Sequence, residues 1–422
     1  MTTSDSGNPW TGIPRSGAAG PGANGAAPRN PWDPAPSRPP EPTRPPEPPR
    51  APEPPAAGGA TLEDHRFPCP ACGAPMRFKP GTTALVCPHC GHDEPIPDAR
   101  GAIPELDLRV AAEQAVPPGA MEEMRVVQCA SCGAQVEFDS DVHAKVCPFC
   151  AAPIVTDTGV RRYIKPQAQL PFLLSEDDAR GAMNKWLGRL WFAPSNLTAY
   201  ARAGRAMDGI YVPYWTYDAE TRTAYSGQRG TVYYETRPVT VTVNGRSQTQ
   251  MQQVARVRWN PVQGRVARNF DDVLVLGSTS LPKRFTDGVA PWDLSALSSY
   301  EPRFLAGFRS EGYTVPVQDA YGEAKQVMDE VIRQDIRRDI GGDQQRIGAM
   351  ETDVGALTFK HVLLPVWVAA YRYRGKTFRF VVNGRTGAVE GERPYSSVKI
   401  FLLVLAMVLA AAGFAWLQLS QN

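Results

Sequence analysis

The sequence predicts a multidomain protein with two small β zinc ribbons, an α+β domain and one C-terminal transmembrane helix. Three observations support this: a repeated cysteine pattern, a proline-rich N-terminal segment, and 18 uncharged residues in a row near the C-terminus. The predicted segments are a disordered Pro/Gly/Ala-rich segment (1–64), zinc ribbon 1 (65–95), a linker (96–124), zinc ribbon 2 (125–155), the α+β domain (160–395) and the membrane anchor (398–419).

The N-terminal segment has the composition of a disordered chain. Residues 1–60 hold 17 of the 41 prolines, and their five arginines are balanced by five acids. With few large apolar side chains, such a stretch cannot bury enough surface to offset the entropy of ordering. Its Pro-Glu-Pro runs favour extended polyproline II. A spacer is therefore favoured over a ligand for a proline-recognising partner.

All eight cysteines fall in two sets with the spacing C-x2-C-x14-C-x2-C, and the second set repeats the first 60 residues downstream. The two 22-residue stretches share ten identities. A tetrahedral Zn²⁺ takes four thiolates, which two knuckles joined by a hairpin supply from a short stretch of chain. The sequence therefore predicts two structural zinc ions. Their predicted ligands are Cys69, Cys72, Cys87 and Cys90, and Cys129, Cys132, Cys147 and Cys150.

Other roles for these cysteines are less favoured. His89 and His143 could serve as ligands, but four cysteines already complete each site. Disulfides need an oxidising compartment, and the N-terminus has no apolar signal-peptide core. Redox CxxC motifs usually occur singly beside a strand and helix. Phe78 and Phe138 are expected to pack beneath the metals, because so small a unit has little other core. A closed four-ligand site leaves no position for a reacting water.

The segment Ile400–Leu417 predicts a membrane anchor. At 1.5 Å per residue its 18 residues extend about 27 Å, enough to cross the hydrocarbon core of a bilayer. Arg393 and Lys399 flank its N-terminal end, and no basic side chain follows it. The positive-inside rule then places residues 1–397 in the cytoplasm, on a single-pass protein of the cytoplasmic membrane. The alternative is a buried C-terminal core helix.

The region between the ribbons and the anchor has the apolar patterns of helices and strands. Ser175 and Asp178 resemble a capping box. An apolar helix face follows: Ala179, Ala182, Met183, Trp186, Leu187, Leu190 and Trp191. A second helix is predicted over 319–340, with Val327, Met328, Val331, Ile332, Ile336 and Ile340. Predicted strands are Thr231–Tyr234, Val239–Val243, Val254–Trp259, Val273–Leu276, Val362–Tyr373 and Phe378–Val382. Asn244-Gly245 and Asn383-Gly384 are turn signals beside them.

A second internal repeat is suggested inside this domain. The first helix is followed by Ile210–Trp215 and later by Val243–Arg246, and the second by Val362–Trp367 and later by Val382–Arg385. Ile210–Trp215 and Val362–Trp367 share a pattern of three apolar residues followed by Pro-x-Trp. Val243–Arg246 and Val382–Arg385 share the sequence Val-Asn-Gly-Arg. This favours a duplicated α+β unit, although the intervening lengths differ.

No catalytic motif is complete, so the chain is predicted not to be an enzyme. Gly375-Lys376-Thr377 resembles the end of a phosphate-binding loop, but Ala370 stands where that motif needs glycine. Asp329-Glu330 lies inside an amphipathic helix rather than after an apolar strand. His361 is expected to be structural, and Asp271-Asp272 to cap a strand edge.

Charge weighs against nucleic acid as the partner. The whole chain has a formal charge of only +2. Residues 69–90 sum to +2 from Arg77 and Lys79, whereas residues 129–150 sum to −2 from one lysine and three acids. Phosphate neutralisation supplies most non-specific affinity, and a self-cancelling pair of ribbons supplies little. Docking of other proteins is therefore favoured over nucleic-acid binding, which stays the alternative.

The chain resembles a bacterial family of tandem zinc-ribbon proteins with a C-terminal membrane anchor, over most of residues 65–400. Besides the ribbons, the resemblance rests on Leu170–Phe172, Gly209–Trp215, Phe270–Val275, Leu363–Trp367 and Gly391–Ser396. Members often carry labels such as primosomal protein N′-like or superfamily II helicase-like, but this chain lacks helicase motor motifs. The resemblance implies a scaffold or recruiter for flotillin-type (SPFH) or envelope-stress proteins at the cytoplasmic membrane.

Overall fold

The computed structural model describes residues 67–97, 101–113, 118–137, 144–150, 152–155, 159–194, 207–243, 246–373 and 376–420. The predicted disordered segment 1–64 lies outside these residues. The described strands are β1 Arg77–Phe78, β2 Ala84–Val86, β3 Asp93–Pro95, β4 Leu106–Asp107, β5 Met121–Gln128, β6 Gln135–Glu137, β7 Ala144–Val146, β8 Pro153–Val155, β9 Gly159–Ile164, β10 Ala168–Gln169, β11 Asp208–Val243, β12 Arg246–Leu276, β13 Ser298–Ser299, β14 Arg309–Ser310, β15 Gln344–Tyr373, β16 Lys376–Asn383 and β17 Val389–Gly391.

The described α-helices are α1 Leu108–Glu113, α2 Glu176–Gly188, α3 Lys283–Gly288, α4 Val317–Ile340 and α5 Ser397–Ser420, with short 3-10 turns at Pro118–Ala120, Leu294–Ala296 and Pro302–Leu305. α2 begins as predicted, because Ser175 and Asp178 cap each other's backbone N–H groups. Leu190 and Trp191, predicted on the apolar face of this helix, lie beyond its end, and Trp191 is 74% exposed. In α4 the buried stripe is Met328, Ile332, Ile336 and Ile340, whereas Val327 is exposed.

A nine-stranded sheet organises the molecule, and its main path runs β12-β11-β15 and on to β16. β11 has 36 residues, β12 has 31 and β15 has 30. The short strands predicted over 231–243, 254–259 and 273–276 are therefore parts of two continuous strands, and the predicted interruptions were wrong. Val243 pairs with Arg246, which confirms a hairpin connection at the predicted Asn244-Gly245 turn. β16 ends at Asn383 and pairs antiparallel with β17, in agreement with the turn signal Asn383-Gly384. Tyr373 and Lys376 pair across the short connection that joins β15 to β16.

Pro238 and Pro261 lie in these long strands without breaking their pairing. The N–H of Val232 donates to the Asp343 carboxylate, so even-numbered residues of this part of β11 direct their N–H away from β12. Pro238 is also even-numbered, so an N–H at this position would point away from β12. Pro261 is paired with Gln228, so an N–H at this position would point to the outer edge of β12. Proline is tolerated in a sheet where its absent donor would face a free edge.

The two Pro-x-Trp segments meet in the middle of the sheet. Ile210–Trp215 pairs antiparallel with 361–366, and Gly209 pairs with Trp367. Trp215 donates its indole N–H to the carbonyl of Val315, two residues before α4, at 3.0 Å. Trp367 donates in the same way to Leu174, two residues before α2, at 3.1 Å. The two segments thus pair with each other, and the tryptophan of each contacts the residues just before a helix.

Side chains alternate between the two faces of this sheet, so each face has its own core. On one face Tyr211, Leu363 and Trp367 pack with α2 and with zinc ribbon 1. On the other face Ile210, Val212, Leu364 and Val366 pack with zinc ribbon 2 and α3. The two predicted ribbons therefore contribute to cores on opposite faces of one sheet.

The predicted linker 96–124 carries regular structure. β4 pairs with β15 at its edge, where Asp107 lies opposite Thr358 and Leu106 opposite Phe359. α1 follows directly, and β5 begins at Met121, before the predicted start of ribbon 2. This segment is therefore part of the folded unit that contains the sheet.

The C-terminal helix α5 is long and apolar enough to cross a membrane over Ser397–Gln418. The apolar side chains described along it are exposed to the surroundings rather than buried in the protein. A soluble core helix would be largely buried, so this observation favours the predicted anchor. Its orientation in a membrane stays a prediction.

Candidate metal centres

The knuckles of ribbon 1 are formed by tight backbone turns. The Cys69 N–H donates to Ala74, and the Gly73 N–H donates back to Cys69, both at 2.8 Å. Gly91 plays the same part in the second knuckle through its bond to Cys87 at 3.0 Å. Gly73 and Gly91 both have φ of 74°. Glycine is the residue that adopts this left-handed conformation without strain, so the knuckle turns around the sulfurs.

Ribbon 2 repeats this geometry. The Cys129 N–H donates to Ala134 and the Gly133 N–H to Cys129, both at 2.8 Å, and Gly133 has φ of 78°. The Cys147 N–H donates to Ala152 at 2.8 Å. The sequence repeat is thus a structural repeat at both knuckles.

The sulfur positions fit a tetrahedral metal. In ribbon 1 the Sγ distances are 3.6 Å for Cys69–Cys90 and 3.5 Å for Cys72–Cys87. In ribbon 2 they are 3.6 Å for Cys129–Cys150 and 3.7 Å for Cys132–Cys147. A tetrahedron with Zn–S bonds of about 2.3 Å has edges of about 3.8 Å, close to all four values. The two tetra-cysteine clusters indicate two structural zinc ions, as predicted.

The same distances exclude the disulfide alternative for the described cysteines. All eight are free, and their sulfurs are far beyond the bond length of about 2.05 Å in a disulfide. His89 belongs to neither cluster of possible ligands, and His143 lies outside the described residues. Zinc, held by four thiolates, would tie two knuckles together and leave no coordination position open for a reacting water.

One thiol in each cluster ionises readily, which favours metal uptake because zinc binds thiolates. The backbone N–H of Cys90 donates to Cys87 and lowers the pKa of the Cys87 thiol to about 6. Hydrogen bonding by the Cys147 thiol lowers the pKa of Cys132 to about 5.

The ribbons differ in how they are packed. Phe78 is buried as predicted, with its ring 5.0 Å from that of Phe304. Phe138 lies outside the described residues, and the buried aromatic that sequence reasoning missed in ribbon 2 is Phe149, between two ligands. Its only signal in the sequence was its place inside the Cys147–Cys150 knuckle.

Ribbon 2 is attached to the sheet through buried polar groups. Val136 forms a β-bridge with Glu311, and the Tyr163 hydroxyl donates to the Gln135 side chain. Glu311 is 1% exposed and accepts from the Ser278 hydroxyl at 2.6 Å. Burial raises the pKa of Glu311 to about 8, so the carboxyl group is largely protonated at neutral pH. None of these residues was identified from the sequence.

A third group of acids, Asp218, Asp271 and Asp272, lies at a β-bulge of the long strands. Lys360 places its Nζ 3.0 Å from Asp218 and 2.8 Å from Asp272. Glu105 reaches the same ammonium group at 3.1 Å. Burial opposes ionisation of Lys360, but the carboxylates outweigh it and raise its pKa. The lysine therefore already supplies the cation that these acids need.

His361 is buried in the sheet core, in agreement with the structural role predicted for it. Its Nδ1 bonds to the Ile164 carbonyl at 2.7 Å, and its ring lies 4.9 Å from that of Trp215. Burial lowers the pKa of His361 to about 4, so the imidazole is neutral.

Comparisons with known proteins agree with the zinc assignment. The family described as NADH pyrophosphatase zinc ribbon domain matches residues 63–94, which contain all four ligands of ribbon 1. The uncharacterized protein YdjG of Bacillus subtilis (strain 168) is 23% identical over 336 residues, covering 79% of this chain and 91% of that protein. No solved structure gives a significant match. The chain is thus similar to a zinc-ribbon family and to one distant bacterial relative.

Proposed function

We propose that this protein is a non-enzymatic, membrane-anchored scaffold whose zinc-stiffened head docks other proteins on the cytoplasmic face. The observation that carries the proposal is that both cysteine clusters belong to cores of one sheet, on its opposite faces. Closed tetrathiolate sites contribute folding energy rather than chemistry. The zinc ions thus stabilise a rigid surface by holding the two knuckles of each ribbon together.

The attachment of α5 supports a head held close to a membrane. The Ser396 N–H donates to the Phe192 carbonyl at 2.7 Å. Lys399 donates to the carbonyls of Ala193 and Trp191 at 2.8 and 3.1 Å. The base of the apolar helix is therefore bound to the segment that follows α2, and Lys399 supports the cytoplasmic orientation of residues 1–397.

The ends of β11 and β12 supply a docking element. Thirteen residue pairs, from Thr231↔Arg258 to Val243↔Arg246, continue beyond the last pair of β11 with β15. We call these residues, 231–243 and 246–258, the β-arm. At about 3.3 Å per residue it extends about 43 Å. Tyr234 is 68% and Met251 67% exposed on it. An isolated two-stranded ribbon is only marginally stable in water, so a partner would stabilise it.

Nucleic-acid binding is the second candidate, and the β-arm is the observation in its favour. The arm carries four arginines and one acid. However, Glu235 binds two of these arginines, Arg237 at 3.0 Å and Arg256 at 3.5 Å, and Arg258 lies over the Tyr233 ring at 5.3 Å. The four arginines less this one glutamate leave the arm a net charge of +3, which neutralises only about three phosphates. By resemblance, we propose flotillin-like (SPFH) or stress-response proteins as the partners.

We also infer that the head arose by duplication of a helix–strand–strand unit. The equivalent contacts of Trp215 and Trp367 with the residues that precede α4 and α2 support this. The antiparallel pairing of the two Pro-x-Trp segments relates the halves by an approximate two-fold axis.

A photo-crosslinking amino acid at position 234 tests the docking function. In membranes of cells that express the full chain, we expect Tyr234 replacement to yield a discrete protein adduct. The same replacement at the exposed Val327 on α4 should yield none. Adducts at both positions, or adducts only to nucleic acid, would contradict the scaffold. Affinity of the purified chain for DNA or RNA that falls steeply with salt would support the second candidate instead.

A further inference from the structure

A cavity of about 590 Å³ opens beside the base of α5. Its apolar lining is aromatic: Trp186 from α2, Phe378 from β16 and Tyr395 from the segment before α5. Lys376 and Arg393 line it as well. The cavity thus combines aromatic surface with cationic groups.

The charges of the lining leave a cationic excess. Glu392 is held by two arginines, Arg284 at 3.4 Å and Arg379 at 3.3 Å. Neither Lys376 nor Arg393 has an ion-pair partner among the described residues, and Arg393 instead lies 5.4 Å from the Tyr395 ring centroid. Glu390 is the remaining carboxylate of the lining. Two unpaired cations face one unpaired acid, so the cavity suits an anion.

The position of the cavity indicates where that anion comes from. Tyr395 is two residues before Ser397, where α5 begins, so it lies within about 7 Å of the helix start. α2 contributes Trp186 to the cavity, and the turn after α2 holds Lys399. Trp191, in that same turn, is 74% exposed. Exposed tryptophan and basic residues at the end of a spanning helix are typical of the membrane interface.

We propose that this cavity binds the headgroup of an anionic phospholipid of the membrane in which α5 is anchored. Lys376 and Arg393 contact the phosphate, and Trp186 and Tyr395 pack against the glycerol region. The inference rests on the proposed membrane anchoring. Lipid is favoured over a free anion because the cavity lies at the level where headgroups surround the helix. Such binding would fix the orientation of the head above the bilayer.

The test is a titration of full-length protein in detergent with phosphatidylglycerol or phosphatidylcholine, followed by native mass spectrometry. We expect phosphatidylglycerol to bind more tightly. The double variant Lys376→Gln/Arg393→Gln should raise the apparent Kd for the first phosphatidylglycerol about 25-fold, since each basic residue near a lipid surface contributes about five-fold. The matched control Arg333→Gln/Arg337→Gln, on the exposed face of α4, should leave that Kd unchanged.

Equal affinity for the two lipids, or an equal loss in the control variant, would overturn the inference. So would glycerol phosphate that competes as well as the whole lipid, because the site would then serve a free anion. Two zinc ions per chain in each variant show that the head is folded. Carbonate extraction of membranes distinguishes failure of the headgroup site from failure of the membrane anchor. A chain that stays in the pellet but shows no lipid selectivity refutes only the headgroup site.

Discussion

The four sulfurs of each zinc site differ in their access to solvent. Cys72 and Cys90 of ribbon 1 are exposed, whereas Cys132 and Cys150 of ribbon 2 are half-buried. A chelator removes zinc by attacking a ligand that opens transiently, so exposure of two ligands should speed removal. The ligands were predictable because their spacing is local in the chain. Their unequal exposure was not, because it depends on how each ribbon packs on the sheet.

We therefore expect zinc to leave ribbon 1 at least several-fold faster than ribbon 2. With a chromogenic chelator in excess, release from the full chain should be biphasic with one zinc in each phase. Cys72→Ser should abolish the fast phase and Cys132→Ser the slow one. A single phase of two zinc ions, or loss of the slow phase in the Cys72 variant, would contradict the assignment.

Removal of the Lys360 ammonium group should be costly to stability. Its side chain is 7% exposed and its ammonium group contacts three carboxylates. Lys360→Met would leave those acids uncompensated, and loss of one partner of a buried ion pair typically costs about 3–5 kcal/mol. Denaturant unfolding monitored by tryptophan fluorescence should show this loss.

The added change Asp218→Asn/Asp272→Asn should recover much of the stability of the Lys360 variant, because it removes the unpaired charges. No recovery would mean that the lysine acts mainly through packing. This network could not be predicted, since its members are 54 to 255 residues apart in the sequence and come together only when β11 pairs with both β12 and β15.

His361 should make stability depend on pH. Its pKa is about 4 in the folded protein and near 6.5 when unfolded, so below pH 6.5 the unfolded chain takes up the proton first. The contribution of the neutral His361 to the free energy of unfolding is complete above pH 6.5. It is lost as the pH falls toward 4, and the loss is at most about 3 kcal/mol. Glu311, with its raised pKa, gives the opposite slope between pH 4.5 and 8.

The measurement is therefore the difference between the wild type and His361→Asn, whose amide can still donate to Ile164. Relative to the variant, the wild type should lose stability between pH 6.5 and 4 in chemical denaturation, while Glu311 and zinc release affect both proteins alike. A difference that stays constant over this range would show that the imidazole is not buried as a neutral group.

At the scale of elements, the long strands were underestimated because proline and polar residues read as strand ends in the sequence. Neither Pro238 nor Pro261 ends its strand, because the N–H that proline lacks would point to a free edge of the sheet. Pro238 interrupts the free edge of the β-arm, and Pro261 interrupts the free edge of β12 just beyond the arm. An unbroken edge at either place would favour pairing with another chain. The start of α2, by contrast, was predictable because its capping box at Ser175 is local in the sequence.

We expect Pro238→Val/Pro261→Val to promote self-association. The substitutions supply an outward N–H on each edge and leave the β11–β12 ladder unchanged. Sedimentation velocity of the full chain in detergent should show oligomers that grow with concentration, whereas a control with Thr240→Val and Gln263→Val, which keeps the prolines, should behave as the wild type. Association in the control would assign the effect to hydrophobicity instead of edge pairing.

At the scale of the whole molecule, we expect the exposed apolar helix α5 to decide where the protein resides. Leu405 and Leu409 lie near the middle of the span and are exposed. An arginine at the centre of a spanning helix costs about 2.5–3.5 kcal/mol on insertion scales, so Leu405→Arg/Leu409→Arg should cost about 6 kcal/mol and move most of the chain out of the carbonate-resistant pellet. Val327→Arg/Met251→Arg adds the same charge on exposed parts of α4 and the β-arm and should leave the pellet fraction unchanged. If the α5 variant instead stays soluble and folded while the wild type also fails to pellet, the helix is a surface for another protein rather than a membrane anchor.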